Sequence, residues 1–145
     1  MKIEFPDKKG IVINMDINNE ELAINLENAT PRETADAIIK ILDDKKARKI
    51  TLLHVEEQTV ITDYFVICEG TSNTQIKALA GEVEYKMGLY GKPVLRMEGY
   101  SEGVWVILDF ASVIVHIFSR DAREFYKLEK LWDNGTEIKL ELEEN

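Results

Sequence analysis

The stretch WVILDFASVIVHIF (residues 105–118) contains two apolar blocks that are joined by the short connection Phe110-Ala111-Ser112. Two apolar blocks separated by a short linker are typical of a β-hairpin. Three side chains in this stretch, Trp105, Asp109 and His116, can also form hydrogen bonds or bind a partner. The face of the hairpin on which they lie therefore decides both the fold and the function.

The two faces of this hairpin differ in chemistry, because the side chains of a β-strand point alternately to opposite sides. Pairing the aliphatic set of one strand with that of the other buries the most apolar area, which predicts that this face is core. The aliphatic set is Val104, Val106, Leu108, Val113, Val115 and Ile117. The same register places Trp105, Asp109 and His116 together on the opposite face, with His116 as a donor to Asp109. The connection lacks glycine, so the sequence fixes neither the turn type nor the register.

The opposite face has three competing interpretations. If a helix covers it, Trp105 is core and His116 is satisfied by a buried neighbour. If it is open, a tryptophan-centred apolar patch with acidic edges is typical of a protein-docking surface. Catalysis is the weakest interpretation, because the chain has no HxxxH, CxxC or HExxH spacing. Cys68, in an apolar strand, is more typical of a small buried hydrophobe than of a nucleophile.

Composition restricts the class of partner. The chain has 145 residues and a formal net charge of -9, with 27 acidic side chains against 18 Lys and Arg. Such an acidic surface repels a phosphate backbone, which disfavours broad binding to DNA or RNA and favours a basic protein partner. The chain has one cysteine, no signal-peptide pattern at its start, and no apolar run of the roughly 20 residues that a membrane span needs. We therefore expect a cytoplasmic protein without membrane contact, cofactor or metal.

Helix and strand signals alternate along the chain. Thr30, Pro31 and Glu33 are placed to start a helix with a capping box, and Ser72 and Ser119 are placed to cap two more. The order is helix, two strands, helix, three strands, helix. This order predicts a mixed α/β (α+β) fold in which helices pack on a five-stranded mixed sheet. The predicted strands are residues 49–55, 60–70, 94–98, 103–109 and 113–118.

Two terminal segments differ from the central domain, which we place at residues 30–133. Residues 1–29 form an amino-terminal arm, in which alternating apolar residues indicate a small β-hairpin; a loosely held segment is the alternative. Residues 134–145 form an acidic carboxy-terminal tail, in which Ile138, Leu140 and Leu142 alternate with polar residues. This alternation predicts a short edge strand, with the amino-terminal arm as its candidate neighbour.

The segment GTSNTQ, from Gly70 to Gln75, lies between a predicted strand and a predicted helix. Gly-Ser turns in this position hold triphosphates in nucleotidyltransferases, which also need closely spaced carboxylates downstream to hold magnesium. No DxD or DxE pair occurs between Ser72 and Asp109. Helix capping explains Ser72 better, and a nucleotide-binding enzyme that uses this turn is the alternative function.

Several motifs together resemble those of one protein family. They are D-Y-F-x-I from Asp63, E-G at Glu98, W-x-x-x-D from Trp105, V-x-V-H-x-F ending at Phe118, and R-x-x-Y-x-L-E-x-L-W ending at Trp132. In this order and spacing they make residues 30–133 closely similar to the ribosomal silencing factors, the RsfS or Iojap family. Ala111 departs from the family pattern, in which glycine is common at this place.

The resemblance implies a binding module and not an enzyme. Proteins of this family bind the large ribosomal subunit through its fourteenth ribosomal protein and block joining of the small subunit, which represses translation; a role in subunit maturation is also described. Their fold looks like a nucleotidyltransferase sheet without the catalytic carboxylates. Little direct contact with rRNA is expected.

The resemblance also implies which residues dock. In the family, the tryptophan that matches Trp105 lies at the contact with the ribosomal protein. Glu98, Glu102 and Asp109 are the expected partners for lysines and arginines of that protein, and His116 is expected beside them. The same surface can alternatively form a homodimer.

Overall fold

The computed structural model describes residues 12–13, 24–55, 61–131, 136–138, 140 and 142. The predicted turn at residues 56–59 and the motif residue Trp132 lie outside these ranges. The elements in chain order are β1 (Val12–Ile13), β2 (Ile24–Asn25), α1 (Pro31–Asp44), β3 (Arg48–His54), β4 (Tyr64–Gly70), α2 (Asn73–Leu89), β5 (Arg96–Glu98), β6 (Trp105–Asp109), β7 (Val113–Ser119), α3 (Arg120–Tyr126), α4 (Leu128–Leu131) and β8 (Thr136–Ile138).

The predicted helix starts are confirmed. The Thr30 hydroxyl accepts the Glu33 N–H at 3.1 Å, and the Glu33 carboxylate accepts the Thr30 N–H at 2.9 Å, so the capping box is closed. Ser72 and Ser119 cap α2 and α3 by accepting backbone N–H groups of the first helical turn. Because Ser119 is also the last residue of β7, α3 follows that strand without a loop.

The main sheet is mixed, as predicted, but the described residues contribute six strands to it and not five. Their order is β5-β6-β7-β4-β3-β8; β4 and β7 are parallel, and the other neighbours are antiparallel. The sixth strand, β8, comes from the carboxy-terminal tail, and its Ile138 lies opposite Leu52 of β3. Among the described residues, the neighbour of this strand is therefore β3, and the described part of the amino-terminal arm pairs elsewhere. Pairing with β8 satisfies backbone groups on the outer edge of β3.

The sheet separates two apolar layers of unequal extent. On one face, α1 and α2 pack on the sheet and form the larger layer, which includes the hairpin side chains Val106, Leu108, Val113, Val115 and Ile117. On the other face, α3 and α4 cover only part of the sheet, through Ala122 and Leu128. Trp105 and Ile114 lie at the margin of this smaller layer and are only partly buried. The unequal coverage leaves one region of the second face accessible.

Cys68 lies in the larger layer and is fully buried. Burial raises the pKa of its thiol to about 12, so the thiolate is strongly disfavoured. The prediction that Cys68 is a small buried hydrophobe is confirmed.

Part of the amino-terminal arm packs on the same core. β1 and β2 pair antiparallel, with Ile13 opposite Ile24. Ile24 and Leu26 are buried in the larger layer, and the Leu26 N–H donates to the Tyr90 carbonyl at 2.7 Å, just after α2. The end of the arm is thus tied to the domain by both apolar contact and a backbone hydrogen bond.

The turn between β6 and β7 is tight and has one strained residue. The Phe110 N–H donates to the Val113 carbonyl at 2.9 Å. Ala111 has φ 67, in the left-handed region, which costs a residue with a Cβ roughly 1–2 kcal/mol. The Asp109 carboxylate accepts the Ala111 N–H at 2.8 Å and so stabilises the turn. A glycine would adopt this backbone conformation without strain, which explains why glycine suits the position.

We predict that Ala111→Gly raises the free energy of unfolding by about 0.5–1 kcal/mol, because the relief of left-handed strain exceeds the added chain entropy of glycine. Urea unfolding of the purified protein measures this change. The matched control is Ala78→Gly in α2, an exposed helical position where glycine is expected to lower stability by about 1 kcal/mol. Equal destabilisation by both substitutions would show that Ala111 carries no strain.

Candidate docking site

Antiparallel pairing of β6 with β7 gives the register of the hairpin. Trp105 lies opposite Phe118, Ile107 opposite His116, and Asp109 opposite Ile114. Residues directly opposite each other in antiparallel strands share a face, so Trp105, Asp109 and His116 lie on the same face, as predicted. The aliphatic set is core with one exception: Val104 is 41% exposed. Val104 lies just before the first residue of β6, where the sheet ends and no described helix covers its side chain, although its carbonyl still accepts the Ser119 N–H at 2.8 Å.

His116 and Trp105 form a hydrogen-bonded pair. The Trp105 Nε1–H donates to His116 Nδ1 at 3.1 Å, and their ring centroids are 5.9 Å apart. Because Nδ1 accepts, the neutral imidazole carries its proton on Nε2. His116 is only 6% exposed, and its Nε2 has no hydrogen-bond partner among the described residues. The expected donation from His116 to Asp109 is therefore wrong, because the imidazole is held by the indole.

Burial also determines the protonation state of His116. It lowers the pKa of the imidazole to about 4, because desolvation disfavours the charged form. The imidazole and the Phe65 ring make a T-shaped contact, with their centroids 5.2 Å apart. His116 thus holds the Trp105 ring from its buried side and contributes no exposed polar group to the surface.

Asp109 has two roles in the turn region. One carboxylate oxygen accepts the Ala111 N–H, and the other lies 3.8 Å from Nη2 of Arg96. Arg96 is opposite Asp109 on the edge strand β5 and is 68% exposed. Asp109 therefore stabilises the hairpin turn. Its second carboxylate oxygen is partly exposed to solvent beside the long, flexible side chain of Arg96.

The two predicted glutamates occupy different places. Glu98 lies opposite Ile107 on β5, so it shares the face of Trp105, and it is 3.6 Å from Nε of Arg96. Glu102 lies in the turn before β6, where its carbonyl accepts from the Asn73 side chain at 3.3 Å. This contact ties the turn to the start of α2, which packs on the opposite face of the sheet. Glu98 thus belongs to the face, and Glu102 lies at its border.

Two aromatic residues that sequence reasoning missed complete the face. The Tyr126 ring lies on Trp105 with centroids 4.8 Å apart, and Phe125 meets Tyr126 edge-on at 5.0 Å. Phe118 stacks under Trp105 at 4.8 Å. Phe125 is 79% exposed and Tyr126 is 50% exposed, so the cluster reaches from the buried layer to solvent. The helix cap at Ser119, the last residue of β7, was the available signal that a helix begins directly beside this face.

We define the docking face as Trp105, Ile107, Ile114, Phe125 and Tyr126 with the flanking charges Arg96, Glu98 and Asp109. It combines a partly buried aromatic anchor with an exposed apolar rim and carboxylates, a composition that suits binding of a protein surface. Within the described ranges, no group of His, Cys, Asp and Glu side chains is arranged to hold a metal ion. In the same ranges, no helix is long and apolar enough to cross a membrane.

We predict that His116 makes stability fall as the pH is lowered from 6.5 to about 4. The pKa of His116 is lower in the folded chain than in the unfolded chain, so the unfolded chain binds a proton first as the pH falls. The contribution of neutral His116 to stability is therefore complete above pH 6.5 and is lost as the pH falls to about 4. The loss amounts to about 3 kcal/mol. Urea unfolding across this pH range is expected to show a shallower slope for His116→Asn, whose amide oxygen still accepts from Trp105.

The matched control for this prediction is His54→Asn, at the other histidine of the chain, which stacks on Tyr64. The same measurement on this variant shows what a histidine-to-asparagine change does elsewhere in the sheet. An unchanged slope in His116→Asn would mean that His116 is not the group responsible.

Known proteins show the same sequence pattern. The family model described as ribosomal silencing factor during starvation matches residues 28–145. Ribosomal silencing factor RsfS of Halalkalibacterium halodurans is 36% identical over 110 residues, which cover 76% of this chain and 94% of that protein. A protein of Mus musculus, named mitochondrial assembly of ribosomal large subunit protein 1, is 34% identical over 103 residues, which cover 67% of this chain and 44% of that protein.

Structural similarity agrees with the sequence match. The crystal structure of a protein from Chromobacterium violaceum superimposes with a TM-score of 0.71 at 29% identity, covering 80% of this chain and 94% of the other. The family match extends beyond residue 133 and so includes β8. From these matches, the chain belongs to the ribosomal silencing factor family, and its role is regulatory, in translation at the ribosome.

Proposed function

We propose that this chain represses translation by docking on the large ribosomal subunit through the docking face. Its partner there is the fourteenth ribosomal protein of that subunit, and the docked domain sterically blocks joining of the small subunit. The observation that carries the proposal is the aromatic cluster of Trp105, Tyr126 and Phe125, which extends from the smaller core layer into solvent. Aromatic anchors of this kind dominate the energetics of protein interfaces.

The name of the mouse relative refers to assembly of the ribosomal large subunit, which supports the same partner. It also favours a role in subunit maturation, since a factor that covers the joining surface can act on an immature subunit as well as on a mature one. Both activities require only that the factor occupy the surface.

Each predicted site residue has a distinct role in this proposal. Trp105 is the anchor, and His116 holds its indole from the buried side, so His116 does not itself touch the partner. Glu98 and Asp109 receive lysines or arginines of the ribosomal protein, and Glu102 adds a third negative charge near the Trp105 end of β6. Such rim charges mainly accelerate association and set orientation.

The net charge of -9 favours a protein contact over an RNA contact. A domain with this charge is repelled by rRNA phosphates and attracted to a basic protein surface exposed among them. The expected site of action is the ribosome in the cytoplasm, with little direct rRNA contact. A homodimer through the docking face would compete with subunit binding, because both would use the same aromatic anchor.

A second candidate function, nucleotide binding, is favoured by one cavity. A cavity of about 350 Å³ lies at the carboxyl ends of β4 and β7, lined by residues 69–73 and 119–121 together with Arg48 and Lys49. The helices that follow these two parallel strands pack on opposite faces of the sheet, and open α/β sheets bind ligands at such a place. The cavity supports a nucleotidyltransferase-like ancestry. The missing downstream carboxylate pair weighs against catalysis, so this function ranks second.

We predict that Trp105→Ala weakens binding to isolated large subunits about 30-fold or more, because a central tryptophan anchor contributes about 2 kcal/mol or more. Phe125→Ala is expected to weaken binding about fivefold with little effect on folding, since Phe125 is mostly exposed. Sedimentation with purified subunits measures the affinity, and a subunit-joining assay measures the block.

Tyr85→Ala is the matched control for these variants, because Tyr85 is 60% exposed on α2 and lies on the other side of the sheet. It is expected to bind and block like the wild type. Wild-type binding by both Trp105→Ala and Phe125→Ala, with normal thermal unfolding, would overturn the assignment of the docking face.

We predict that calorimetry with a nucleoside triphosphate and magnesium gives no saturable heat at micromolar concentrations, because the described residues provide no metal-holding carboxylate group. Arg120→Met serves as the comparison variant at the cavity. Saturable binding that is lost in Arg120→Met would establish the second function in place of a purely steric factor.

A further inference from the structure

We infer that Arg123 is a positioning residue for the docking face: its guanidinium holds α3 in the rotation that keeps Tyr126 against Trp105. This inference rests on the proposed function, since it concerns the geometry of the same face. Arg123 begins the R-x-x-Y-x-L-E motif, which places Tyr126 three residues later and Glu129 six residues later. Residues three apart in a helix lie on neighbouring positions of one side.

The guanidinium of Arg123 binds four groups from three other elements. Nη1 donates to the Lys49 carbonyl at 2.8 Å and to the Glu69 carboxylate at 3.2 Å, and Nη2 donates to the Thr51 hydroxyl at 3.0 Å. Nε donates to the Glu129 carboxylate at 3.1 Å. One side chain therefore joins α3 to β3, β4 and α4. The planar fork of donors gives this junction a fixed direction.

The junction is buried, which makes its geometry specific. The side chains of Arg123 and Glu69 are 10% and 9% exposed. Removal of one partner would leave a buried charge without compensation, so the pair resists rearrangement. Surface ion pairs on the same helix, such as Arg120 with Glu124 at 76% and 68% exposure, lack this constraint.

The strand β3 has an irregularity at the place where it accepts hydrogen bonds from Arg123. The pairing register of β3 with β4 shifts between Arg48 and Thr51, and Lys49 has φ 49, in the left-handed region. Bulges of this kind redirect a local backbone group out of the regular ladder. Here the Lys49 carbonyl accepts from Arg123.

Apolar packing alone does not fix the rotation of α3. Ala122 is the one buried side chain of this seven-residue helix, which is described throughout. Beside it, a cavity of about 390 Å³ is lined by polar and charged residues, including Glu69, Arg123 and Glu129. The single methyl group of Ala122 can stay buried at several nearby rotations of α3 about its axis, so it does not select one of them. The directional hydrogen bonds of Arg123 supply that distinction, and Tyr126 is thereby held 4.8 Å from the Trp105 ring.

The test uses the full chain in a Trp132→Phe background, so that Trp105 is the single tryptophan. Arg123→Met is combined with Glu69→Gln, because removing both charges avoids a buried unpaired carboxylate. We expect this double variant to unfold cooperatively but to expose Trp105, with acrylamide quenching increased about twofold well below the unfolding midpoint. Its affinity for isolated large subunits is expected to fall about tenfold.

Arg120→Met combined with Glu124→Gln is the matched control, since it removes an exposed ion pair from the same helix. It is expected to change neither quenching nor affinity. If the first double variant does not unfold cooperatively, Glu129→Gln supplies the same two measurements with one contact of the junction weakened. Unchanged Trp105 quenching in the folded variant would overturn the positioning role.

The two measurements separate this inference from the proposed function. If quenching rises but neither this variant nor Trp105→Ala loses affinity for subunits, the docking function fails while the control of Tyr126 by Arg123 stands. If Trp105→Ala loses affinity and the Arg123 variant changes neither measurement, the docking function stands and the positioning role fails.

Discussion

The parallel pairing of β4 with β7 is the constraint on which the rest of the structure depends. It runs without a break from Tyr64 opposite Val113 to Gly70 opposite Ser119, so both strands end at the same level. The helices that follow them pack on opposite faces of the sheet. The helix after Gly70 has 17 residues and covers its face together with α1, whereas the helix after Ser119 has 7 and covers only part of the other. The docking face is the part of the sheet that this short helix leaves accessible, together with Phe125 and Tyr126 at the end of the helix itself.

The hydrogen bond from Trp105 to His116 explains how an aromatic anchor can be both partly exposed and well ordered. An indole N–H at a protein surface would ordinarily bind water, and a docking partner would then have to displace that water. Here the N–H is satisfied from the buried side by a neutral imidazole, and the ring is held between Phe118 and Tyr126. Trp105 is therefore held in one orientation in the free chain, which would reduce the entropy lost on association in the proposed docking.

Features that depend on neighbouring residues in the sequence could be predicted, and features that depend on distant ones could not. Strand alternation correctly divided the hairpin into a core face and a second face, and capping residues correctly located the helix starts. Strand alternation misplaced Val104, because no pattern marks the residue at which a strand begins. The partner of His116 was wrong because an imidazole can either donate or accept, and only the register with Trp105 decides which. The role of Arg123 could not be predicted, because three of its four acceptors lie 54 to 74 residues away on β3 and β4.

The charges around the docking face are arranged so that a partner can replace existing contacts at little cost. Arg96 lies between Glu98 and Asp109 at 3.6 and 3.8 Å, distances at which exposed ion pairs contribute little stability. A lysine or arginine of a docked protein can take the place of Arg96 beside either carboxylate, while the long Arg96 side chain swings into solvent. The buried pair of Arg123 and Glu69 cannot be exchanged in this way, because both side chains are enclosed. The ion pair that cannot be exchanged, Arg123 with Glu69, thus lies beneath α3. The exposed pairs of Arg96 lie at the edge strand β5, where the proposed basic partner would bind.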